Sequence, residues 1–295
     1  MIIYKNMKDL KDYINEAKKN KVALGHFNAP NIEIFHGIVR AAKSLNLPVI
    51  IGVSEGEEDF IGIDEIVALV QKYRENGQPV FLNADHHYSL DRVKKCIDQG
   101  FDAVIIDLVK LPIEENILIT KQCVDYADEV FKKTGKRTLI EAEIGFIGTS
   151  SKILDKIPED INENTFTTKE QAKKFVDETN VDLLAPAIGN VHGMILGGNP
   201  RLMPDRVKEI SDITGVPLVL HGGSGVFNQD FTDCIKNGVS IVHINTEIRK
   251  AYHSAIVNFI KENPEEIAPY KFLKNGVIAV EQVVYERLKL FNNMN

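Results

Sequence analysis

The sequence predicts an α/β protein with the (β/α)8 TIM barrel fold, and three observations carry this prediction. Eight short apolar runs alternate with eight helical patterns along the 295 residues. The apolar runs are continuous, which is typical of parallel strands covered by helices. No two runs are joined by a hairpin signal. An open doubly wound sheet is the alternative, but no Gly-x-Gly-x-x-Gly follows the first run, which argues against its dinucleotide-binding form.

The elements follow from the change of hydrophobic period along the chain. Strands are predicted over 22–27, 48–53, 79–83, 103–106, 137–144, 182–188, 217–220 and 240–244. Helices follow these strands over 31–45, 64–74, 91–99, 114–133, 168–179, 204–214, 230–237 and 247–261. An amphipathic helix over 6–20 precedes the barrel, and a further helix over 277–291 closes it. Because no linker-like stretch occurs, residues 1–295 are predicted to form one catalytic domain.

Local signals place several of these boundaries. Gly100 and Gly135 end the helices before them, and Thr168-Lys-Glu-Gln171 resembles a capping box that opens the next helix. Residues 145–166 are polar and fit neither period, which predicts an irregular segment.

Composition narrows the class of function. A net charge of −7 without a basic run argues against a nucleic-acid partner. No apolar run approaches the roughly 20 residues of a membrane span, and the first residues lack the order of a signal peptide. The cysteines form no Cys-x-x-Cys pair, and their odd number suits a reducing compartment; they are Cys96, Cys123 and Cys234. We therefore expect a cytoplasmic protein.

Chemistry-bearing residues lie where five strands end. In a (β/α)8 barrel the carboxyl ends of the strands meet at one face and form the active site. The five strand ends read Asn83-Ala-Asp-His-His87, Glu141-Ala-Glu143, Ile188-Gly-Asn-Val-His-Gly193, His221-Gly-Gly223 and His243-Ile-Asn-Thr246. Scattered surface histidines would not keep to such positions.

Three of these histidines suit a catalytic metal centre. His86, His192 and His221 come from three strands and leave a position open, which is typical of catalytic rather than structural zinc. A lone histidine is more often a solvated loop residue, but the joint pattern favours a metal. His87 is an alternative to His86, because neighbours on a strand face opposite ways.

The remaining histidines divide into two groups. His26 and His243 are spare ligand candidates at strand ends. His36 and His253 lie in helical patterns and are expected to be ordinary helix residues.

Carboxylates accompany the predicted ligands. Asp85 adjoins His86 and is expected to carry a proton to or from a metal-bound substrate; its alternative role is to orient a histidine. Glu143 is a candidate ligand for a second or displaced metal position. Glu141 would point to the same side, deeper in the barrel.

A glycine-rich turn follows the seventh strand. Its backbone N–H groups can cradle a phosphate, and the ends of strands seven and eight are the usual phosphate position of this fold. The residues expected there are Gly222, Gly223, Ser224, Gly225, Asn245 and Thr246. Ser54, at the end of the second strand, is expected to add a hydroxyl or to be a turn residue.

With these motifs in place, the chain resembles the class II, metal-dependent fructose-bisphosphate aldolases, in the broad group that includes tagatose-bisphosphate aldolases. The resemblance runs nearly end to end. The matching stretches include Phe27-Asn28, Asp85-His86, Ile106-Asp107, Glu141-Ala-Glu-Ile-Gly145, Ala187-Ile-Gly-Asn-Val-His-Gly193, Leu220-His-Gly-Gly-Ser-Gly225 and Asn245-Thr-Glu247.

The resemblance implies a function and a site. It implies reversible cleavage of fructose 1,6-bisphosphate to dihydroxyacetone phosphate and glyceraldehyde 3-phosphate, a reaction of glycolysis and gluconeogenesis. Zn²⁺ would be held by His86, His192 and His221, with Asp85 as the proton donor and acceptor. Substrate and phosphate contacts would come from Asn28, Gly193 and the glycine-rich turn, with Na⁺ or K⁺ nearby. It further implies a homodimer or homotetramer.

The chain departs from the family pattern at four places. The family loop after the Glu-Ala-Glu strand carries a glutamate base, whereas this chain reads Gly148-Thr-Ser-Ser151, with acids only at Asp155, Glu159 and Asp160. His243 replaces an asparagine expected to touch the enediolate, and we expect it to bind the same oxygen or to change substrate preference. Val109 replaces a serine, and Leu202-Met-Pro204 replaces Leu-Asp-Phe.

Three alternatives remain open at this point. Tagatose 1,6-bisphosphate differs from the fructose compound only in stereochemistry at C4. A metal-dependent hydrolase usually needs His-x-His at the first strand, where this chain has His26-Phe-Asn28. A non-catalytic phosphosugar-binding barrel would explain the altered loop. Arg249 and Arg201 are both candidates for a second phosphate.

Overall fold

The computed structural model describes residues 8–148 and 151–294. Within them eight parallel strands close into a barrel, which confirms the predicted fold. The strands are β1 (Leu24–Asn28), β2 (Val49–Ser54), β3 (Val80–His87), β4 (Ala103–Ile106), β5 (Leu139–Ile144), β6 (Leu183–Pro186), β7 (Leu218–Leu220) and β8 (Val239–Ile244). Each strand pairs with the next along the chain, and β8 pairs with β1.

Helices surround this barrel. They are α1 (Leu10–Asn20), α2 (Ile32–Leu45), α3 (Glu55–Ile61), α4 (Ile63–Glu75), α5 (Leu90–Asp98), α6 (Ile113–Thr134), α7 (Lys169–Thr179), α8 (Pro204–Thr214), α9 (Asn228–Lys236), α10 (Thr246–Glu262) and α11 (Pro269–Phe291). Among the described residues, no helix combines the length and apolarity needed to cross a bilayer.

Several predicted elements need correction. Helix α3 was not predicted, because its acidic sequence lacks an apolar period. Helix α11 begins at Pro269 rather than at 277, with proline in its first turn, where the missing N–H costs no hydrogen bond. Strand β3 continues to His87, four residues beyond its predicted end. The described part of the irregular segment 145–166 contains a two-residue strand, Ile153–Leu154, which pairs with Met194–Ile195, and a short 3₁₀ helix, Glu163–Thr165.

The helix predicted over 6–20 begins later than predicted, because Lys8 and Asp9 are not helical and α1 begins at Leu10. Asp9 caps α1, and its side chain accepts a hydrogen bond from the Asp12 N–H. The first two residues of the helix predicted over 6–20 lie outside the described residues.

The barrel interior changes from apolar to polar along the strands. Because strand side chains alternate, every second residue points toward the axis. The lowest layer is apolar and packs against Leu10, Ile14 and Ala17 of α1; its strand residues are Leu24, Ile50, Phe81, Ala103, Leu139, Leu183, Val219 and Ile241. Two positions further along five of these strands lies what we call the polar layer, formed by His26, Asn83, Glu141, His221 and His243.

Candidate active site

A cavity of about 280 Å³ opens at the C-terminal ends of the strands. It brings together twelve of the predicted site residues: Asn28, Ser54, Asp85, His86, His192, Gly193, Gly222, Gly223, Ser224, His243, Asn245 and Thr246. Two further predicted residues, Glu143 and His221, do not line the cavity. They are buried at 2% and 1% exposure and lie against His86.

A bulge near the end of β3 turns two consecutive side chains into this cavity. The pairing of β3 with β4 shifts register between Ala84 and His87, and His86 has a left-handed φ of 50°. Left-handed backbone is uncommon for a residue with a side chain and is concentrated at functional sites. As a result Asp85 and His86 both line the cavity, and His87 packs outside the barrel.

Four side chains converge at the cavity wall in a group suited to a metal ion. One ligand atom from each of His86, Glu143, His192 and His221 lies within 4.8 Å of the others. The imidazole centroids of His192 and His221 are each 4.8 Å from that of His86. Three imidazoles with one carboxylate form a donor set that suits Zn²⁺ and other divalent transition metals. The residues present therefore fit a metal centre.

Hydrogen bonds fix the orientation of each imidazole in this group. His86 Nδ1 donates to Asp107 Oδ2 (2.8 Å), and His192 Nδ1 donates to the Gly148 carbonyl (2.7 Å). His221 Nε2 donates to Glu141 Oε1 (2.7 Å). A bond of this kind is the usual second contact of metal-binding histidines, and it leaves Nε2 of His86 and of His192 as candidate ligand atoms. In His221 the remaining nitrogen, Nδ1, lies 2.9 Å from Glu143 Oε2.

The carboxylates create a field that favours positive charge. Burial opposes the charged form of His86, but Asp85 and the hydrogen bond to Asp107 outweigh it and raise the pKa of His86 to about 9. Burial is likewise outweighed at His221, where bonds to Glu141 and Glu143 hold the pKa well above its usual value. His192 lacks such a carboxylate bond, and burial and the nearby His86 lower its pKa to about 4. The same field would stabilise a bound cation.

The alternative ligand His87 is not part of this group. Its Nε2 lies 2.9 Å from Glu58 Oε2, and Cys96 Sγ lies 3.5 Å from the same imidazole nitrogen. All three are buried between β3 and its neighbouring helices. His36 and His253 lie in α2 and α10, as predicted.

Asp85 is held from two sides. Asn28 Nδ2 donates to Asp85 Oδ2 (2.7 Å), and His243 Nδ1 lies 3.5 Å from Oδ1. Burial opposes ionisation, but His86 and the contact with His243 keep the pKa of Asp85 well below its usual value. Asp85 therefore lies in the cavity as a carboxylate.

The glycine-rich turn after β7 lies against the first turn of α10. Gly222 has φ of 62°, and a Cβ there would lie 2.3 Å from the Val191 carbonyl oxygen, so only glycine fits. The Ser224 hydroxyl accepts from the N–H groups of Asn245 and Glu247. This arrangement places the turn and the N-terminus of α10 at one side of the cavity, where the positive end of the helix dipole favours an anion.

Sequence reasoning missed several residues of the site. Tyr88 and Ser151 line the cavity, and no sequence motif marks either. Glu57 is buried and accepts from Asn28 Nδ2 (2.8 Å), from the Ser54 hydroxyl and from Arg249. The Ser54-x-x-Glu57 spacing of a capping box could have marked it.

The two arginine candidates are separated by the structure. Arg249 lines the cavity. Arg201 does not: it is exposed, pairs with Asp230 and stacks on Phe227.

Comparison with known proteins identifies the family. A family model described as "Fructose-bisphosphate aldolase class-II" matches residues 8–295. The chain belongs to this family. It is therefore an aldolase, a carbon–carbon lyase, as the resemblance implied, and neither the hydrolase nor the non-catalytic alternative is supported.

Relatives of this aldolase match over nearly their full length. The fructose-bisphosphate aldolase of Geobacillus stearothermophilus is 34% identical over 288 residues, which is 96% of each chain. That of Staphylococcus aureus strain Mu50 is 34% identical over 290 residues, with 97% of each chain covered. Among solved structures, the YdjI aldolase from Escherichia coli K12 is similar with a TM-score of 0.80 and 30% identity, over 96% of each chain.

Three acids that follow the Glu-Ala-Glu strand of this aldolase do not reach the cavity. Asp155, Glu159 and Asp160 are exposed, and none lines the cavity. Glu159 instead pairs with Lys156 (2.8 Å). Thr149 and Ser150, which belong to the predicted departure from the family loop, lie outside the described residues.

Proposed function

We propose that this aldolase reversibly cleaves fructose 1,6-bisphosphate to dihydroxyacetone phosphate and glyceraldehyde 3-phosphate. The observation that carries the proposal is the placement of the His86–Glu143–His192–His221 group and an anion cradle at one cavity. A ketose 1-phosphate would use both, because its C2 carbonyl and its C1 phosphate are on neighbouring carbons. Tagatose 1,6-bisphosphate is the second candidate, since it differs only at C4.

The proposed metal ligands are His86, His192 and His221, with Glu143 at a second or alternate position. Zn²⁺ suits this donor set and, when bound, would act as a Lewis acid that polarises the substrate ketone. Asp107, Gly148 and Glu141 orient the three imidazoles. These contacts support a preorganised site.

Asp85 is the proposed proton-transfer residue. In the cleavage direction its carboxylate takes the proton of the C4 hydroxyl, while the C3–C4 electron pair moves onto the ketone fragment and the aldehyde is released. The resulting enediolate then takes up a proton at C3 from water to give dihydroxyacetone phosphate, and Asp85 releases the C4 proton to solvent and returns to the carboxylate. The ionised state of Asp85 supports this role.

The C1 phosphate is proposed to bind at the glycine-rich turn. Its contacts would be Gly193, Gly222, Gly223, Ser224, Asn245 and Thr246. A Na⁺ or K⁺ ion beside this cradle belongs to the same proposal, and the unpartnered Oδ1 of Asn245 is an oxygen ligand for it.

The part of the cavity beside β1 and β2 is proposed to hold the second phosphate. Asn28, Ser54 and Arg249 line it, and Glu57 contacts all three. An anion at this position would gain a charge-assisted hydrogen bond from the Arg249 guanidinium.

Three broader proposals complete this account. Residues 1–295 act as one catalytic domain, which the closure of all eight strands into one barrel supports. The enzyme works as a homodimer or homotetramer. Its location is cytoplasmic, which the three free, buried cysteines support.

Cleavage assays on fructose and tagatose 1,6-bisphosphate test the substrate. We expect faster cleavage of the fructose compound, with both triose phosphates detected. Asp85→Asn should lower kcat by ~10²- to 10⁴-fold while the metal content is unchanged. Faster cleavage of tagatose 1,6-bisphosphate would make it the substrate in place of fructose 1,6-bisphosphate. Full activity of Asp85→Asn would refute the role of Asp85.

A further inference from the structure

The polar layer is an unusual feature of this barrel. Layers inside (β/α)8 barrels are mostly filled by branched apolar side chains. Here five side-chain atoms of the polar layer are buried without a hydrogen-bond partner: both ring nitrogens of His26, Asn83 Oδ1, Glu141 Oε2 and His243 Nε2. A buried polar atom without a hydrogen-bond partner lowers the stability of the fold. An arrangement this costly calls for a functional reason.

Two histidines of the polar layer form one rigid unit. His26 and His243 lie opposite each other in the register of β1 and β8, and their rings stack with centroids 3.5 Å apart and planes 3° apart. Gly52 on β2 leaves the space for this stack, because a Cβ there would lie 2.2 Å from the His26 ring. A side chain at position 52 would therefore displace His26.

This unit meets the proposed proton-transfer residue. His243 Nδ1 lies 3.5 Å from Asp85 Oδ1, the carboxylate oxygen that Asn28 does not contact. Oδ1 has no hydrogen-bond partner among the described residues, and the imidazole nitrogen His86 Nε2 lies farther from it, at 3.9 Å. The orientation of the His243 ring therefore sets the position of its Nδ1 beside Asp85 Oδ1. The His26 ring stacks on the His243 ring and so holds that orientation.

We propose that His26 is a positioning residue that acts through His243 to hold the Asp85 carboxylate for proton transfer, an inference which rests on the proposed function. His26 does not line the cavity, and its ring makes no hydrogen bond to Asp85, although a ring nitrogen lies within 4.8 Å of a carboxylate oxygen of Asp85. Its effect should appear in the step that uses Asp85 and in no other.

Two reactions separate that step from the rest of the chemistry. Cleavage of the bisphosphate needs a base for the C4 hydroxyl. Exchange of the C3 hydrogen of dihydroxyacetone phosphate with D₂O needs only enolisation of the ketone fragment, which has no such hydroxyl. A defect in the positioning of Asp85 should lower cleavage and spare exchange.

The experiment compares both rates in the metal-loaded enzyme and in three variants: His26→Ala, His243→Asn and the double variant. Exchange is followed by NMR, and metal content is measured for each protein. We expect His26→Ala to lower cleavage about tenfold, with exchange changed by less than about twofold. In the His243→Asn background, His26→Ala should have no further effect, because its partner is gone. Asp85→Asn is the positive control for lost cleavage with retained exchange.

Three results would overturn the inference. Cleavage and exchange could fall together, which would place His243 on the ketone fragment. The effects of the two substitutions could be additive. His26→Ala could leave both rates unchanged at full metal content. If His26→Ala does not fold, His26→Asn removes the ring with a smaller loss of volume and is judged by the same ratio. A wild-type enzyme that neither cleaves nor exchanges would instead contradict the proposed function.

Discussion

At the residue scale, the chemically active side chains of the site are each held in place by a neighbouring group. Each candidate metal ligand has a second partner that orients it, and Asp85 has Asn28 on one oxygen and His243 beside the other. Such partners hold catalytic groups within a fraction of an ångström of their working geometry. We therefore expect substitutions of orienting residues to affect catalysis as well as stability.

The two arginine candidates give a matched pair of variants. Arg249→Ala should raise KM for fructose 1,6-bisphosphate ~10- to 100-fold, because a charge-assisted hydrogen bond to the second phosphate is lost. Its kcat should change little. Arg201→Ala should leave both constants unchanged, since Arg201 lies outside the cavity. Steady-state kinetics decide the matter, and a KM effect of Arg201→Ala equal to that of Arg249→Ala would refute the assignment.

Most of these residues could be predicted from the sequence, because polar side chains at the ends of apolar runs are unusual. The choice between His86 and His87 could not. Alternation along a strand lets only one of Asp85 and His86 face the axis, and the bulge that admits both depends on the left-handed φ of His86. Nothing in the residue type of a histidine marks that backbone conformation.

At the element scale, short connecting helices hold the cavity walls. The capping box of α3 joins Ser54 to Glu57, so that the end of β2 and the start of α3 form one hydrogen-bonded corner. The capping box of α7 does the same where the long loop after β5 returns to a helix. The first corner lies at the cavity, and the second lies away from it.

The α7 cap provides a test of stability alone. Thr168→Ala removes the hydroxyl that accepts from the Gln171 N–H (3.2 Å). We expect a loss of about 1 kcal/mol in the free energy of unfolding, with unchanged kcat at 25 °C. Thr232→Ala in α9 is the matched control, because its hydroxyl bonds only the Asn228 carbonyl four residues back. Equal destabilisation of the two variants by chemical denaturation would contradict the role of the cap.

Elements with a clear period were predicted and those without one were not. Helix α3 carries three acids in its first turn and is stabilised by its Ser54–Glu57 cap rather than by an apolar face. The start of α11 at Pro269 was not predicted for a similar reason: its first turns are largely exposed and show no apolar period. Tertiary packing and caps decide such segments, and a hydrophobic pattern does not contain that information.

At the scale of the whole molecule, the two ends of the barrel differ: one end is apolar and closed, and the other carries polar and charged side chains. Helix α1 and an apolar layer close one end. The polar layer and the candidate metal group occupy the other end. Because this end concentrates buried carboxylates and imidazoles, we expect the apo protein to be less stable than the metal-loaded one.

Metal removal should therefore lower Tm. An ion that binds only the folded chain, at about 1,000 times its Kd, adds about 4 kcal/mol of stability. At roughly 2–4 °C per kcal/mol for a chain of this size, EDTA should lower Tm by about 10 °C, and added Zn²⁺ should restore it. The Tm of His192→Ala should change far less on addition of EDTA or Zn²⁺. If elemental analysis confirms that the metal has been removed and Tm is unchanged, the proposed site is contradicted.

The closed barrel was predictable because eight apolar runs and eight helices leave few other topologies. The polar layer was not, because its members are far apart in sequence and only the closed barrel stacks His26 on His243 over Gly52.

The most direct test of the central claim is a coupled assay of fructose 1,6-bisphosphate cleavage by the purified enzyme. It is run before EDTA, after EDTA and after Zn²⁺ is returned, with metal content measured at each stage. We predict that activity is lost with the metal and recovers with Zn²⁺. Full activity in protein shown to be metal-free would contradict a metal-dependent aldolase centred on His86, His192 and His221.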